Sequence, residues 1–336
     1  MLTLILQVKG WGQVDTGSHL LFGATLGGLA MLSPAVSIQP ELMYAVLAGT
    51  VIGSHAPDFD VFARLKGRAA YIRHHRGITH SLPAPLVWAA VIGIPSAMIF
   101  GVMEHVLLVM LWTLAAALFH VILDLFNAYG VQCFRPVSSR WWHLDALCLF
   151  DPYLFAAHAA CLSMWMFHIL PAGPMFAALY GGTVVYIALR LRLRWRVRRR
   201  LNRFLGGAVG ITLVPSLLGN SWQFTADCGD CYRAGTVKRG LITVDSTVKK
   251  LRANQHVPVV KAAMEADGVR AFLGFAEQVH LQVEQKHDGY EVSWKDVRFW
   301  RDNQMAFGAL VTLDRNMNVL GQHIGWNKRS WESPHV

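Results

Sequence analysis

Residues 107–126, LLVMLWTLAAALFHVILDLF, are twenty consecutive residues of which only His120 and Asp124 carry an ionisable side chain. A helix needs about 20 apolar residues to cross the hydrocarbon core of a bilayer, so this stretch is expected to span a membrane. His120 and Asp124 lie four apart, on one face of that helix. An ionisable group inside a span is costly and marks a functional site by default.

Five more apolar stretches flank this one, at roughly 18–33, 41–54, 82–102, 147–169 and 174–191. The first two are short, suiting tilted, re-entrant or buried segments. The intervening loops sort by charge: three carry no Lys or Arg, whereas the alternate ones hold Arg64, Lys66, Arg68, Arg73 and Arg76, then Arg135 and Arg140, then an arginine cluster. The positive-inside rule places the basic loops in the cytoplasm. Six crossings with a cytoplasmic amino terminus satisfy the pattern, and two re-entrant segments preserve it. Residues 1–8 are apolar with no basic residue before them, so no cleavable signal is expected.

The 336 residues are 54% hydrophobic and 15% charged, well under the quarter charged that is usual in soluble domains. Of the net +10, eight charges come from arginines between Arg190 and Arg203, where no acid occurs. A block of this kind directly after an apolar run reads as a juxtamembrane anchor on anionic head groups. Its concentration argues against a nucleic-acid surface, and no nucleic-acid partner is expected. The fold expected is mainly α: a polytopic helical membrane domain (1–203), a linker or strand lead-in (204–219) and a small α+β cytoplasmic domain (220–336). In that last domain, 236–244 and 290–299 have strand character, 259–282 has helical periodicity, and 309–324 reads as a hairpin about Asp314-Arg-Asn-Met. Cys228-Gly-Asp-Cys231 is a lone C-x-x-C, read as a turn between strands.

Six acids of the membrane half, Asp15, Asp58, Asp60, Asp124, Asp145 and Asp151, fall near the expected cytoplasmic ends of apolar stretches, most of them with a histidine close by. An isolated His-x-x-x-Asp pair more often serves helix packing, but further donors on neighbouring segments favour a metal. Imidazole with carboxylate suits zinc, manganese or iron. His74-His-Arg-Gly-Ile-Thr-His80-Ser81 supplies His75 and His80 around Gly77, with Arg76 able to grip an anion in a bidentate manner. His55-Ala-Pro-Asp58-Phe-Asp60 ends the second stretch and His19 opens the first. Trp142-His-Leu-Asp145 and Asp151-Pro read as supporting or capping groups, and His105, His158 and His168 as isolated.

Asp15-Thr-Gly-Ser-His19, Pro57-Asp58-Phe-Asp60, His75-Arg-Gly-Ile-Thr-His80-Ser81, His120-x-x-x-Asp124 with Asn127-x-Tyr129-Gly130, and Asp151-Pro together resemble the LexA-regulated, YdjM-type inner-membrane family of metal-dependent hydrolases. The resemblance covers about residues 15–155, and the His-Arg-Gly-x-Thr-His-Ser element is its most specific part. It implies a helical membrane protein with a hydrolase-like metal site. A more distant similarity, to zinc phospholipase C and zinc-dependent single-strand nucleases, implies phosphoester hydrolysis.

The residues and the resemblance lead to a multi-pass inner-membrane hydrolase acting at the cytoplasmic face on a phosphoester or lipid-linked substrate. His19, Asp58, His75, His80, His120 and Asp124 are the expected ligands of a divalent metal, zinc first, manganese or iron second. Asp60 or Asp151 is the expected general base, and Arg76 is expected to steady the transferred anion. Membrane lipids are the expected partners. Two other classes use the same residues: a metal or proton transporter, and a scaffold with a structural metal.

Overall fold

The structure is a computed structural model that describes residues 11–208, 210–217, 221–250, 257–301 and 304–326. The apolar start at 1–8, on which the reading of no cleavable signal rests, lies outside them. In chain order the described helices before the first strand are α1 (Trp11–Leu29), α2 (Pro34–Ile38), α3 (Pro40–Gly53), α4 (Arg68–His74), α5 (Ala84–Ile99), α6 (Val106–Phe126), α7 (Pro152–Met166) and α8 (Ala172–Phe204). Short 3-10 turns cover Ala56–Lys66 and Ile78–His80. The chain divides into two units, residues 1–60 with 76–194 and residues 61–75 with 195–336.

The first unit is a helical bundle in which α3 packs on α1, α5 and α6, and α1 also on α7. Proline opens α2, α3 and α7, where its missing N–H removes no helical bond. Small residues bring the axes close: a methyl on Gly53 would lie 3.0 Å from the Thr113 carbonyl oxygen, and one on Gly93 3.0 Å from the Met110 Cα. Such close packing is how helices associate where lipid supplies no hydrophobic drive. Inside, Leu42, Ala45, Val46, Ala97 and Val109 form one core. Outside, Leu86, Val91, Leu107 and Leu111 stand exposed, an apolar exterior suited to acyl chains.

Among the described residues two helical segments, Met103–Phe126 and Ala172–Phe204, are long and apolar enough to cross a membrane, or three if Arg68–His80 and Ala84–Ile99 are one broken span. Six crossings are therefore not what the described helices provide. The stretch at 147–169 yields only fifteen helical residues, because Asp151 caps the helix at Pro152 and His168 (φ 54°) follows its last turn. The 41–54 stretch is fourteen residues long. The arginine cluster does not end the helix before it; α8 runs on through it to Phe204.

The second unit contains two four-stranded antiparallel sheets. One is a meander of β1 (Gly210–Pro215), β2 (Ser221–Asp227), β3 (Cys231–Lys238) and β4 (Leu241–Lys249), in that spatial order. The other has the order β10-β9-β6-β5, with β5 (Val279–Lys286), β6 (Gly289–Asp296), β9 (Phe307–Asp314) and β10 (Val319–Trp326); β7 (Trp300–Arg301) and β8 (Gln304–Met305) form a two-stranded ribbon. Helices α9 (Val257–Met264) and α10 (Asp267–Leu273) pack on the second sheet. β4 is an outer strand, exposed along much of its length, and its register with β3 slips so that Asp245 is left unmatched. Asp296 and the fully buried Arg298 form an ion pair at 2.7 Å, with the guanidinium over the Phe275 and Phe299 rings.

Three sequence expectations for this unit change. The helical period over 259–282 resolves into α9, α10 and the start of β5, since Ala266 adopts an extended backbone between the helices. The strand at 236–244 is two strands joined at Arg239-Gly240, both at positive φ, as a tight hairpin requires. Residues 297–299, at the end of the expected strand 290–299, form a 3-10 turn. The hairpin about 314–317 and the C-x-x-C turn form as expected, the latter closing β2 to β3 with both thiols free.

Candidate metal centre

Four side chains from three segments of the first unit meet at one point. α6 projects His120 and Asp124 from the same face, the 3-10 turn after Gly77 presents His80, and the turn after α3 presents Asp58. His80 Nε2 lies 3.2 Å from His120 Nε2 and 3.3 Å from Asp124 Oδ2. Asp58 Oδ1 is 3.6 Å from both imidazole nitrogens, and His120 Nε2 is 3.6 Å from Asp124 Oδ2. Donor atoms of all four lie within 4.8 Å of one another. His80, His120 and Asp124 are fully buried, while Asp58 keeps 16% of its side chain exposed. Burial opposes ionisation of Asp58, but the facing His120 and His80 imidazoles outweigh it and hold its carboxyl well below the usual carboxylate range.

The donor set fits a divalent cation. Four donors arranged tetrahedrally at the ~2.0–2.2 Å bond lengths usual for zinc with nitrogen and oxygen lie roughly 3.3–3.6 Å apart, close to the separations here. Asp124 Oδ2 is buried and accepts no hydrogen bond, which is costly for a carboxylate oxygen unless a cation or donor faces it.

The surrounding groups orient these donors. His120 Nδ1 lies 2.7 Å from the Ser54 carbonyl oxygen at the end of α3, which places the ring N–H there and turns Nε2 to the centre. Asp60, expected as a general base, accepts from the Arg76 backbone N–H at 2.8 Å and the Thr79 hydroxyl at 3.0 Å, and stands 3.6 Å from His80 Nδ1. It backs His80 in the manner of a carboxylate behind a metal-bound imidazole. Arg76, expected to grip an anion, donates instead to Asp124 Oδ1 at 2.9 Å and Asn127 Oδ1 at 3.0 Å. Its backbone adopts φ 56°, a conformation costing about 1–3 kcal/mol, and is pinned by the bond to Asp60 and by Gln132 N–H donating to its carbonyl.

His19 stacks on the His120 ring with centroids 3.8 Å apart, and its Nε2 is 3.9 Å from Asp124 Oδ1. It lines a cavity of about 30 Å³ together with Asp124, Asn127 and Asp151, room enough for a water or two. Asp151 caps α7 through the Tyr153 and Leu154 N–H groups and accepts from the Tyr186 hydroxyl at 2.8 Å. His75 belongs to the second unit, where it follows α4 and stacks on Tyr71. Sequence reasoning missed the Ser54 carbonyl, since a main-chain acceptor leaves no residue-type signal. His158, read as isolated, is buried between Thr25 and Thr183 at 2.8 and 3.1 Å and takes no part in the centre.

With Asp60 placed behind His80, Asp60→Asn is expected to weaken metal affinity about 10–100-fold without abolishing it. Competition with a chromogenic chelator measures this; unchanged affinity would remove Asp60 from the centre.

Fold and site together define a membrane protein whose helical unit carries a buried His/Asp cluster able to bind metal, followed by an α/β unit. The chain belongs to the family described as YdjM inner membrane protein, whose profile matches residues 14–197. Residues 258–333 match the YfhP C-terminal alpha/beta plait domain. The chain is 34% identical over 315 residues to the uncharacterized protein YfhP of Bacillus subtilis (strain 168), covering 93% of this chain and 95% of that one. No solved structure matches it.

Proposed function

We propose that this protein is a metal-dependent hydrolase, multi-pass in the inner membrane, that acts at the cytoplasmic face on a phosphoester or lipid-linked substrate. The observation that carries the reading is the packing of four donor atoms from Asp58, His80, His120 and Asp124 at 3.2–3.6 Å beside a water-sized cavity. These four residues would hold a divalent cation, zinc first, with His19 stacked alongside. Bound there, the cation supplies Lewis acidity, acidifying water and polarising a phosphoryl or carbonyl oxygen. Arg76 and Asn127 fix the Asp124 carboxylate, Asp60 fixes the His80 ring, and Ser54 fixes the His120 tautomer. Of the two carboxylates expected as general base, Asp151 lines the cavity while capping α7 and accepting from Tyr186, and Asp60 is engaged behind His80; Asp151 would be the one to take a proton from water.

The test is turnover of a soluble phosphodiester, bis-4-nitrophenyl phosphate, by the full chain in detergent after loading with zinc, manganese or iron. Turnover should vanish with a chelator and return with metal. Bound metal without turnover of this ester or of a phospholipid defeats the hydrolase reading.

A structural ion is the competing reading, favoured by the presence of four protein donors, the number that closes a structural zinc site. Cobalt substitution separates the two. An open site changes its visible spectrum when inorganic phosphate is added, whereas a closed site does not.

A further inference from the structure

The loop between α6 and α7 doubles back on itself, with Val131 and Trp142 exchanging backbone hydrogen bonds at 3.0 and 2.9 Å. Gly130 (φ 74°) makes the turn possible; a methyl there would lie 2.5 Å from the Trp142 carbonyl oxygen. Between this loop and the start of α5 lies a groove of about 540 Å³ lined by Leu82, Cys133, Phe134, Pro136, Val137 and Trp142, within the size range of small-molecule sites. Val137 is 94% exposed, and Phe134 and Trp142 meet edge to face at 5.3 Å.

Two cations edge this apolar groove. Arg135 is part of its lining, and Arg140 stacks on Trp142 at 4.9 Å. Among the described residues neither has a carboxylate partner, and Arg135 Nε is buried without a hydrogen bond. A hydrocarbon slot edged by unneutralised guanidinium groups complements a molecule with an apolar tail and an anionic head. The groove is also tied to the metal centre's framework. Leu82 is two residues beyond His80 and its N–H donates to the Cys133 carbonyl at 2.8 Å, while Gln132 N–H donates to the Arg76 carbonyl at 3.0 Å.

We propose that this groove binds an anionic lipid, its hydrocarbon chain lying along Phe134, Val137 and Trp142 and its phosphate on Arg135 and Arg140. The proposal deepens the hydrolase reading, on which it rests in one respect: it makes the substrate a lipid-anchored phosphate, held by its tail beside the centre. The loop's aromatic side chains then serve one bound lipid rather than the bilayer surface at large.

Native mass spectrometry of the full chain in detergent tests this, titrating phosphatidylglycerol, phosphatidylcholine and glycerol 3-phosphate in turn. Phosphatidylglycerol should bind at least tenfold more tightly than phosphatidylcholine, and glycerol 3-phosphate, a head group without a tail, should bind far more weakly. R135Q/R140Q should erase the preference for phosphatidylglycerol, and S138W, which fills the groove, should reduce binding of both lipids. Equal affinity for the two lipids, tail-independent binding, or variants that match the wild type would each overturn the proposal. Metal content read on the same samples keeps the two ideas apart: a chain without metal that still selects phosphatidylglycerol loses the hydrolase reading and keeps the lipid site.

Discussion

Purified full-length chain carrying His120→Ala is expected to hold less than a tenth of the metal bound by the wild type. His120 Nε2 faces His80, Asp58 and Asp124 at 3.2–3.6 Å, so its loss removes one donor of four. Merely misorienting a metal-bound histidine costs 10–100-fold in affinity, and deleting the donor costs more. The substitution also cuts the anchor to the Ser54 carbonyl. Metal quantified by plasma mass spectrometry reads the result. His158→Ala is the control for a buried imidazole lost without loss of a donor, since His158 bonds only Thr25 and Thr183 among the hydrogen bonds described. That variant should keep its metal, and equal loss from both would mean that the bundle, not the donor set, had failed. Affinity in the wild type should also fall as the solution is acidified, because a histidine must shed its proton to bind.

Asp124→Ala is expected to do something different: to destabilise the fold even when no metal is present. The carboxylate is divided, with Oδ1 held by the Arg76 guanidinium at 2.9 Å and Oδ2 turned to the two imidazoles. Arg76 is itself only 4% exposed, and stripping one partner from a buried ion pair costs about 3–5 kcal/mol. Thermal unfolding of metal-stripped samples in one detergent should show a midpoint lower by on the order of ten degrees. Asp124→Asn keeps a neutral acceptor for Arg76 and should recover part of that midpoint without restoring metal binding. If the alanine variant unfolds with the metal-stripped wild type, the division of labour between the two oxygens is refuted.

Part of the centre is legible in the amino-acid sequence. The four-residue spacing of His120 and Asp124 requires one helical face, and an apolar neighbourhood makes both conspicuous. Asp58 and His80 stand out as polar residues at the ends of apolar runs. The division between donors and supports is not legible. Asp60 and Asp58 differ by two positions in a 3-10 turn, and only the Thr79 hydroxyl and Arg76 N–H show which carboxylate faces away. Arg76 resembles an anion grip because a sequence does not reveal that Asp124 and Asn127 occupy its guanidinium. Hydropathy and helix length diverge for a related reason. Apolar content at 147–169 is continuous, but the Asp151 cap fixes where the helix can begin, and helix length rather than hydropathy decides what spans. In the second unit, the apolar period through 259–282 cannot separate two short helices from a strand, since short runs satisfy both patterns.

The unmatched Asp245 on β4 has a bearing on how the protein behaves when concentrated. An outermost strand that keeps regular pairing geometry invites a second molecule to add itself along the rim and so seeds fibres. Here a carboxylate interrupts the ladder, with Lys249 further along the same strand, so rim-to-rim stacking would bury charge and skip a rung. That border of the sheet is thereby a poor template for recruiting other chains.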